Sequence, residues 1–296
     1  MNHPRNVNLP YFAYGLLKPS ELAYNQLKDF VESVRRGTIA GCLYVRDGLP
    51  LLELGSNTGD VPGHIIKFRG ELVAQAYDTI CKFEPGKHYR WEERECISGE
   101  ARVSVNVLVG RSPRKGSIAF DEDREWTGKR DPVFEHGLSV AEDIVKDSAG
   151  NPFEPAPADD FEWRRLFRLQ MAYLLLWSII ERYCALAYGP ELEPTEKTRT
   201  LGDDPLFAKS LAEVVDREGK VYDCRDPGCA YRLAPANPNS SLNYYYQVRC
   251  NLSHRGKGAW KDVEITRLSL IELVKIVRLI LDGSYPERNS SESQES

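Results

Sequence analysis

Apolar and polar residues alternate in three short runs of the first 110 residues. These are TIAGCLYV (38–45), VPGHIIKF (61–68) and ARVSVNVLVG (101–110), the last with a valine at every second place. A period of two predicts half-buried strands. One early segment reads differently: Ser20 is a plausible N-cap, and Leu22, Leu27, Phe30, Val31 and Val34 form a stripe at helical spacing. Glycines punctuate the region and connections are short, so residues 9–140 are expected to form a mixed α/β domain. After the Pro- and Ala-rich stretch DSAGNPFEPAPADD (147–160) the period changes to that of a helix. Helices are expected at 160–189, 203–219, 240–256 and 262–283, with Gly189 and Gly256 as stops and Leu270, Leu273, Val274, Val277, Ile280 and Leu281 on one stripe of the last. Four such helices predict a bundle. The expected organisation is therefore α+β: a mixed α/β barrel-like domain at 9–140, a linker at 141–159, a helical bundle at 160–283 and a disordered low-complexity tail at 284–296.

Length and charge sharpen this picture. The chain has 296 residues, and one domain per about 100–200 residues makes two the default. Its longest apolar run, Met171–Ile180, is cut off by Glu181 and Arg182 and falls short of the roughly 20 residues of a membrane helix. MNHPRNVNLP has no apolar signal core, so a cytoplasmic protein with reduced thiols and no membrane partner is expected. Of seven cysteines only Cys224 and Cys229 are close in sequence, with no second Cys or His pair nearby, so neither a metal nor a cofactor is expected. The net charge is −5, yet residues 244–281 hold seven Lys/Arg against three Asp/Glu, a local basic balance compatible with RNA.

The stretch QVRCNLSHRGKG (247–258) carries the first candidate chemistry. On an ideal helix Arg249 and His254 point about 140° apart, while Asn251 and His254 share a face. A histidine in a last helical turn can move protons near neutral pH, and an adjacent guanidinium can steady charge developing on phosphate. By spacing alone Arg-x4-His is also a common solvated helix end. Together with the aromatic helix before it and the long apolar helix after it, VRCNLSHRGKG resembles the HEPN (higher eukaryotes and prokaryotes nucleotide-binding) family. Its signature is Arg-x4–6-His, here Arg249 and His254; Asn251 stands one place later than the commonest asparagine, where this chain has Cys250. LWSIIERYCALAYG looks like the family's first helix, with Glu181 a possible polar partner. The resemblance implies a metal-independent endoribonuclease: Arg249, His254 and Asn251 form the site, the ribose 2′-OH attacks the adjacent phosphate, and a homodimer brings two sets together. A bundle that only dimerises stays open as the alternative.

YFAYGLLKP (11–19) is the second candidate, a strand leading to a loop whose free N–H groups can face an anion. With GCLYVRDGLPLLELG (41–55), VPGHIIKF and FEPGKHYRWEE (83–93) following in order, it resembles the gamma-glutamylcyclotransferase-like family over residues 9–140. That resemblance implies a small mixed α/β barrel in which a substrate amine closes on its own γ-carbonyl and releases 5-oxoproline. Glu84 matches the family's acid/base glutamate, and Tyr14, Gly15, Leu16 and Leu17 match its ligand loop. Leu16 replaces a hydroxyl residue, and Pro85 stands where glycine is common. Turnover, binding of a γ-glutamyl-type ligand without turnover, and a structural role all stay open.

Taken together, the expected function is an endoribonuclease that cleaves RNA as a dimer and carries a cyclotransferase-like domain sensing or processing a small ligand. By fold-level analogy it would be a toxin or defence effector. The alternatives are a gamma-glutamyl cyclotransferase with Glu84 as base and a bundle for dimerisation only, or a scaffold or sensor with neither activity.

Overall fold

The computed structural model describes residues 1–285 except 56–58, 85, 121–124, 150–151, 155, 157–158, 227 and 256–259, and except the side chains of 148, 149, 254 and 255. The expected tail lies outside the described residues from 286 onward. Two units form, Met1–Asp131 with Ala185–Leu192, and Pro132–Cys184 with Glu193–Ser296.

The period-two runs of the first unit become strands of a closed barrel. The strands are β1 (Tyr11–Ala13), β2 (Val31–Arg46), β3 (Leu49–Leu54) and β4 (Asp60–Phe68). Helix α1 (Val73–Phe83) leads to β5 (Tyr89–Ser98), β6 (Ala101–Gly110) and the short β7 (Ile118–Ala119). Neighbours run β2-β4-β1-β6-β5, and a pairing of Thr38 on β2 with Ile97 on β5 closes the ring at five strands. Only β1 and β6 are parallel, with Tyr11 beside Asn106 and Phe12 beside Val107. Strands β3 and β7 add to the far half of β2. Phe12, Ile39, Leu52, Ile66, Val105 and Val107 are buried and form the core. Helix α1 buries Ala76, Tyr77, Ile80 and Phe83, and Tyr77 meets Phe68 and Trp91 edge-on.

The helix expected from Ser20 to Val34 does not form. Ser20 has φ of +84°, the left-handed region, which is unlike an N-cap. Leu22–Gln26 and Lys28–Phe30 make short 3-10 turns, and Val31 already begins β2. The β-branched Val31, Val34 and Ile39 favour a strand. Its inward alternation is hidden in the sequence because the buried series 37, 39, 41, 43 includes two glycines. A Cβ at Gly37 would lie 2.6 Å from Cys96 Sγ, so the close approach of β2 to β5 requires the missing side chain.

The second unit begins with α2 (Leu138–Ala149), which occupies part of the expected linker. Next come α3 (Asp160–Tyr188), α4 (Pro194–Gly202) and α5 (Pro205–Val214), followed by the hairpin β8 (Gly219–Tyr222) and β9 (Ala230–Leu233). Helices α6 (Pro238–Arg255) and α7 (Val263–Ser284) complete it. Thus α3, α6 and α7 stand close to their expected spans. The single helix expected at 203–219 is shorter: Asp204 caps α5 by accepting from the Leu206 N–H at 2.8 Å, and the chain turns into β8 at Gly219. Leu176, Ile179, Tyr244, Tyr245, Leu270, Leu273 and Ile276 are buried at the centre. No helix among the described residues is long and apolar enough to cross a membrane.

Candidate functional site

Helix α6 carries Arg249, Asn251 and His254 through its last two turns and ends at Arg255. Its aromatic residues anchor it. Tyr245 donates to Glu272 of α7 at 2.8 Å, its carbonyl accepts from the Tyr173 hydroxyl of α3 at 2.9 Å, and Tyr246 packs on Trp177 with ring centroids 5.4 Å apart. Glu272 also takes a two-pronged ion pair from Arg217 at 2.5 and 2.9 Å, which ties the segment before β8 to α7. Arg249 is half-buried beside Tyr246, and Glu181 of α3 also faces that tyrosine. The His254 side chain lies outside the described residues, as does Gly256, the expected helix stop.

Asn251 is committed to structure. Its amide oxygen accepts from the Cys224 N–H (3.0 Å) and from Gln247 Nε2 (2.9 Å), and its amide nitrogen donates to the Tyr222 carbonyl (2.8 Å). It is 7% exposed. Its contacts therefore pin the β8–β9 hairpin to α6. Cys224 and Cys229 flank the tip of this hairpin as half-buried thiols. No group of three or more His, Cys, Asp or Glu suited to a metal occurs among the described residues.

In the first unit, Glu84 follows α1 and is buried. Burial pushes its carboxyl up to about 8, against the downward pull of the neighbouring Tyr89 hydroxyl. Three phenols surround it: burial and then the Glu84 charge raise Tyr11, Tyr14 and Tyr89 above the ordinary tyrosine range. Tyr89 donates to the Pro50 carbonyl at 3.0 Å. Tyr14 donates to the Leu108 carbonyl at 2.7 Å and accepts from the Leu52 N–H at 3.3 Å, bridging β6 and β3.

The loop Tyr14–Leu17 is packed into the protein. Leu16 and Leu17 are core side chains, and a Cβ at Gly15 would stand 2.8 Å from Pro50 Cγ. The sequence gives no hint of what holds this loop. Lys18, 2% exposed, donates to Glu125 at 2.9 Å and to the Trp126 carbonyl, and lies 3.8 Å from Glu21. Glu21 accepts from the Gly128 N–H at 2.9 Å. Burial raises Glu21 to about 7, offset in part by Lys18. Glu125 is also raised by burial, but Lys18 and Arg36 outweigh this and hold it down to about 2. Lys18 and Glu21 are three apart, an ordinary surface spacing; only the fold brings Glu125 to them.

A separate open depression of about 610 Å³ on the barrel is lined by Thr38, Asp60, Arg94, Glu95, Ile97 and Arg102, among others. It does not include Glu84.

No family model matches the chain, and no curated protein matches it. Among solved structures, the crystal structure of uncharacterized protein PH0828 from Pyrococcus horikoshii is similar at 19% identity, over 37% of this chain and 85% of that one. Its TM-score of 0.29 is too low to carry an argument about fold or function.

Proposed function

We propose that the helical unit is a metal-independent endoribonuclease of the HEPN type, acting on RNA as a dimer. The observation that carries this reading is that α6 runs unbroken through Arg249 and ends one residue after His254. The unpaired carbonyls of a helix C-terminus favour a cation there, which suits a histidine that must hold a proton in part of its cycle. In the proposed reaction the 2′-oxygen forms a bond to phosphorus and the P–O5′ bond breaks. The 2′-OH proton leaves to a histidine, the departing O5′ gains a proton, and a 2′,3′-cyclic phosphate and a 5′-OH result. Arg249 offsets charge on the phosphate oxygens. Asn251 supports the site by fixing α6 against the hairpin. The test is cleavage of single-stranded RNA in EDTA by the whole chain, with cyclic phosphate ends as product. Cleavage that requires added metal overturns the reading.

A second reading concerns the barrel, and Glu84 favours it. A buried carboxyl raised to about 8 is protonated at neutral pH and loses its proton readily once a cation is nearby. The ammonium of a γ-glutamyl compound would be such a cation, and Glu84 would then take the proton that frees the amine for ring closure. Release of 5-oxoproline from a panel of γ-glutamyl compounds tests this. Its absence leaves Glu84 as a buried acid of the core.

A further inference from the structure

The first two-thirds of α3 expose an apolar stripe. Trp163 is 36% exposed, Phe167 49%, Met171 69% and Leu174 37%. Their spacing of four, four and three keeps them on one side of the helix, and Trp163 stacks on Phe167 with centroids 6.4 Å apart. Both flanks are occupied within the same unit. On one flank Arg168 pairs with Asp147 of α2 at 2.7 Å; on the other Trp177 packs on Tyr246 of α6. The stripe between them is a row of large side chains with no cover. The exposed parts amount to about 400 Å² of apolar surface, taking about 150–250 Å² for each whole side chain. A standard interface covers about 800 Å² per partner, a little over half of it apolar, so this stripe is the size of an interface core.

We propose that a second copy of this chain covers the stripe, with the two α3 helices antiparallel across a two-fold axis near Met171. The sequence is self-complementary about that point, as a two-fold interface requires. Phe167, four places before Met171, meets Leu174 and Leu175, three and four places after it. Arg164, seven before, meets the exposed Ser178, seven after, a small side chain that leaves the guanidinium within reach of Glu181. Asp160, eleven before, meets Arg182, eleven after. A parallel pairing would instead set Arg164 against Arg164 and Asp160 against Asp160, which repel. The stripe adjoins the α6 side that holds Tyr246 and Arg249, so the pairing puts the two α6 helices beside one shared interface. This inference stands apart from the ribonuclease reading, because its readout is mass rather than cleavage.

The test uses the full chain. Light scattering at about 50 μM, far above the dissociation constant of an ordinary stable interface, should give twice the 33.6 kDa chain mass. Met171→Glu places two carboxylates at the axis and should weaken the dimer about thirtyfold or more, a hot-spot effect. Met171 is exposed, so circular dichroism should show the fold unchanged. Met171→Cys should give a disulfide-linked dimer on mild oxidation, absent from the wild type. Ser178→Cys should not, because two residues 178 stand about 21 Å apart along antiparallel helices. A monomeric wild type, a Met171→Glu variant that stays dimeric, or cross-linking through Ser178→Cys and not Met171→Cys overturns the proposal.

Discussion

Glu84 and the Arg249–His254 stretch are both candidate chemistry, and they are held in opposite ways. Glu84 sits in a core where three phenols and the barrel wall keep water away, so its proton affinity is set by burial. Arg249 and His254 sit on the last turns of a helix whose inner face is fixed by Tyr245, Gln247 and Asn251. There the backbone, through the end of the helix, sets the electrostatics. A buried site has its reactivity tuned before a ligand arrives. A helix-end site needs a partner surface to exclude water, which is why a second copy matters for one and not for the other.

The largest effect that separates them is on RNA cleavage. His254→Ala should lower cleavage by about 10²–10⁴-fold, the worth of a positioned proton-transfer group. Glu84→Gln should leave cleavage within about twofold, since catalytic losses require contact with the reacting atoms. Cleavage that survives His254→Ala removes the helix end as a site. Loss in both variants would couple the two units. If the α3 pairing completes the site, Met171→Glu should also reduce cleavage, and the loss should be partly restored at high protein concentration.

The next effect is on stability against pH and belongs to the barrel alone. Glu84 binds its proton more tightly folded than unfolded, so its contribution is fully present below the ordinary carboxylate pKa near 4.5 and is lost as pH rises through about 8. Over that window the unfolded chain has given up the proton and the folded chain has not. Glu84→Gln removes this dependence. The variant should match the wild type near pH 4.5 and become the more stable of the two by pH 8, with a gap on the order of 4 kcal/mol. Urea unfolding at both pH values measures it. A constant gap would mean that Glu84 is solvated.

The same contrast explains what the sequence made legible. The helix-end motif and the spans of α3, α6 and α7 follow from local spacing, because a 3.6-residue period survives in the chain as written. The barrel was legible only in pieces. Strand β5 buries Tyr89 and Cys96 amid charged residues, so it shows no alternation. Strand β2 hides its alternation behind glycines, and the residues before it imitate a helix. Helix α1 did carry a signal, with Ala76, Tyr77, Ile80 and Phe83 on one face. Contacts made at long range were invisible: Lys18 with Glu125, Arg217 with Glu272, and the phenols around Glu84. The exposed stripe on α3 was equally hidden, since an apolar helix position reads as core until its neighbours are known.

Asn251 tests how far the helix-end site depends on its scaffold. Asn251→Ala leaves the Cys224 N–H, the Tyr222 carbonyl and the Gln247 amide without a partner. Unmade hydrogen bonds in a largely buried place cost about 1–3 kcal/mol. Urea unfolding should show a loss in that range, and cleavage should fall only in step with the folded fraction. A cleavage defect with stability intact would move Asn251 from the scaffold to the chemistry.

The smallest effect concerns Tyr14, and it decides whether the barrel loop holds the fold or a ligand. Its hydroxyl makes two bonds, one to the Leu108 carbonyl and one from the Leu52 N–H, and so joins β6 to β3 across the core. Tyr14→Phe keeps the ring and its packing and removes only the bridge. The expected loss is about 1–2 kcal/mol, one good hydrogen bond and one longer one. The aromatic packing of Tyr11 on Trp91 lies on another part of β1 and should survive, so the far- and near-ultraviolet dichroism should stay unchanged. The phenol is also a neighbour of Glu84, and each raises the proton affinity of the other by charge. Desolvation is the larger cause for Glu84, so Tyr14→Phe should leave the pH-dependent gap between wild type and Glu84→Gln nearly as wide as before. If instead the gap collapses, water reaches Glu84 through the space left by the hydroxyl. The carboxyl would then lie beside an entry path, where a ligand could also pass.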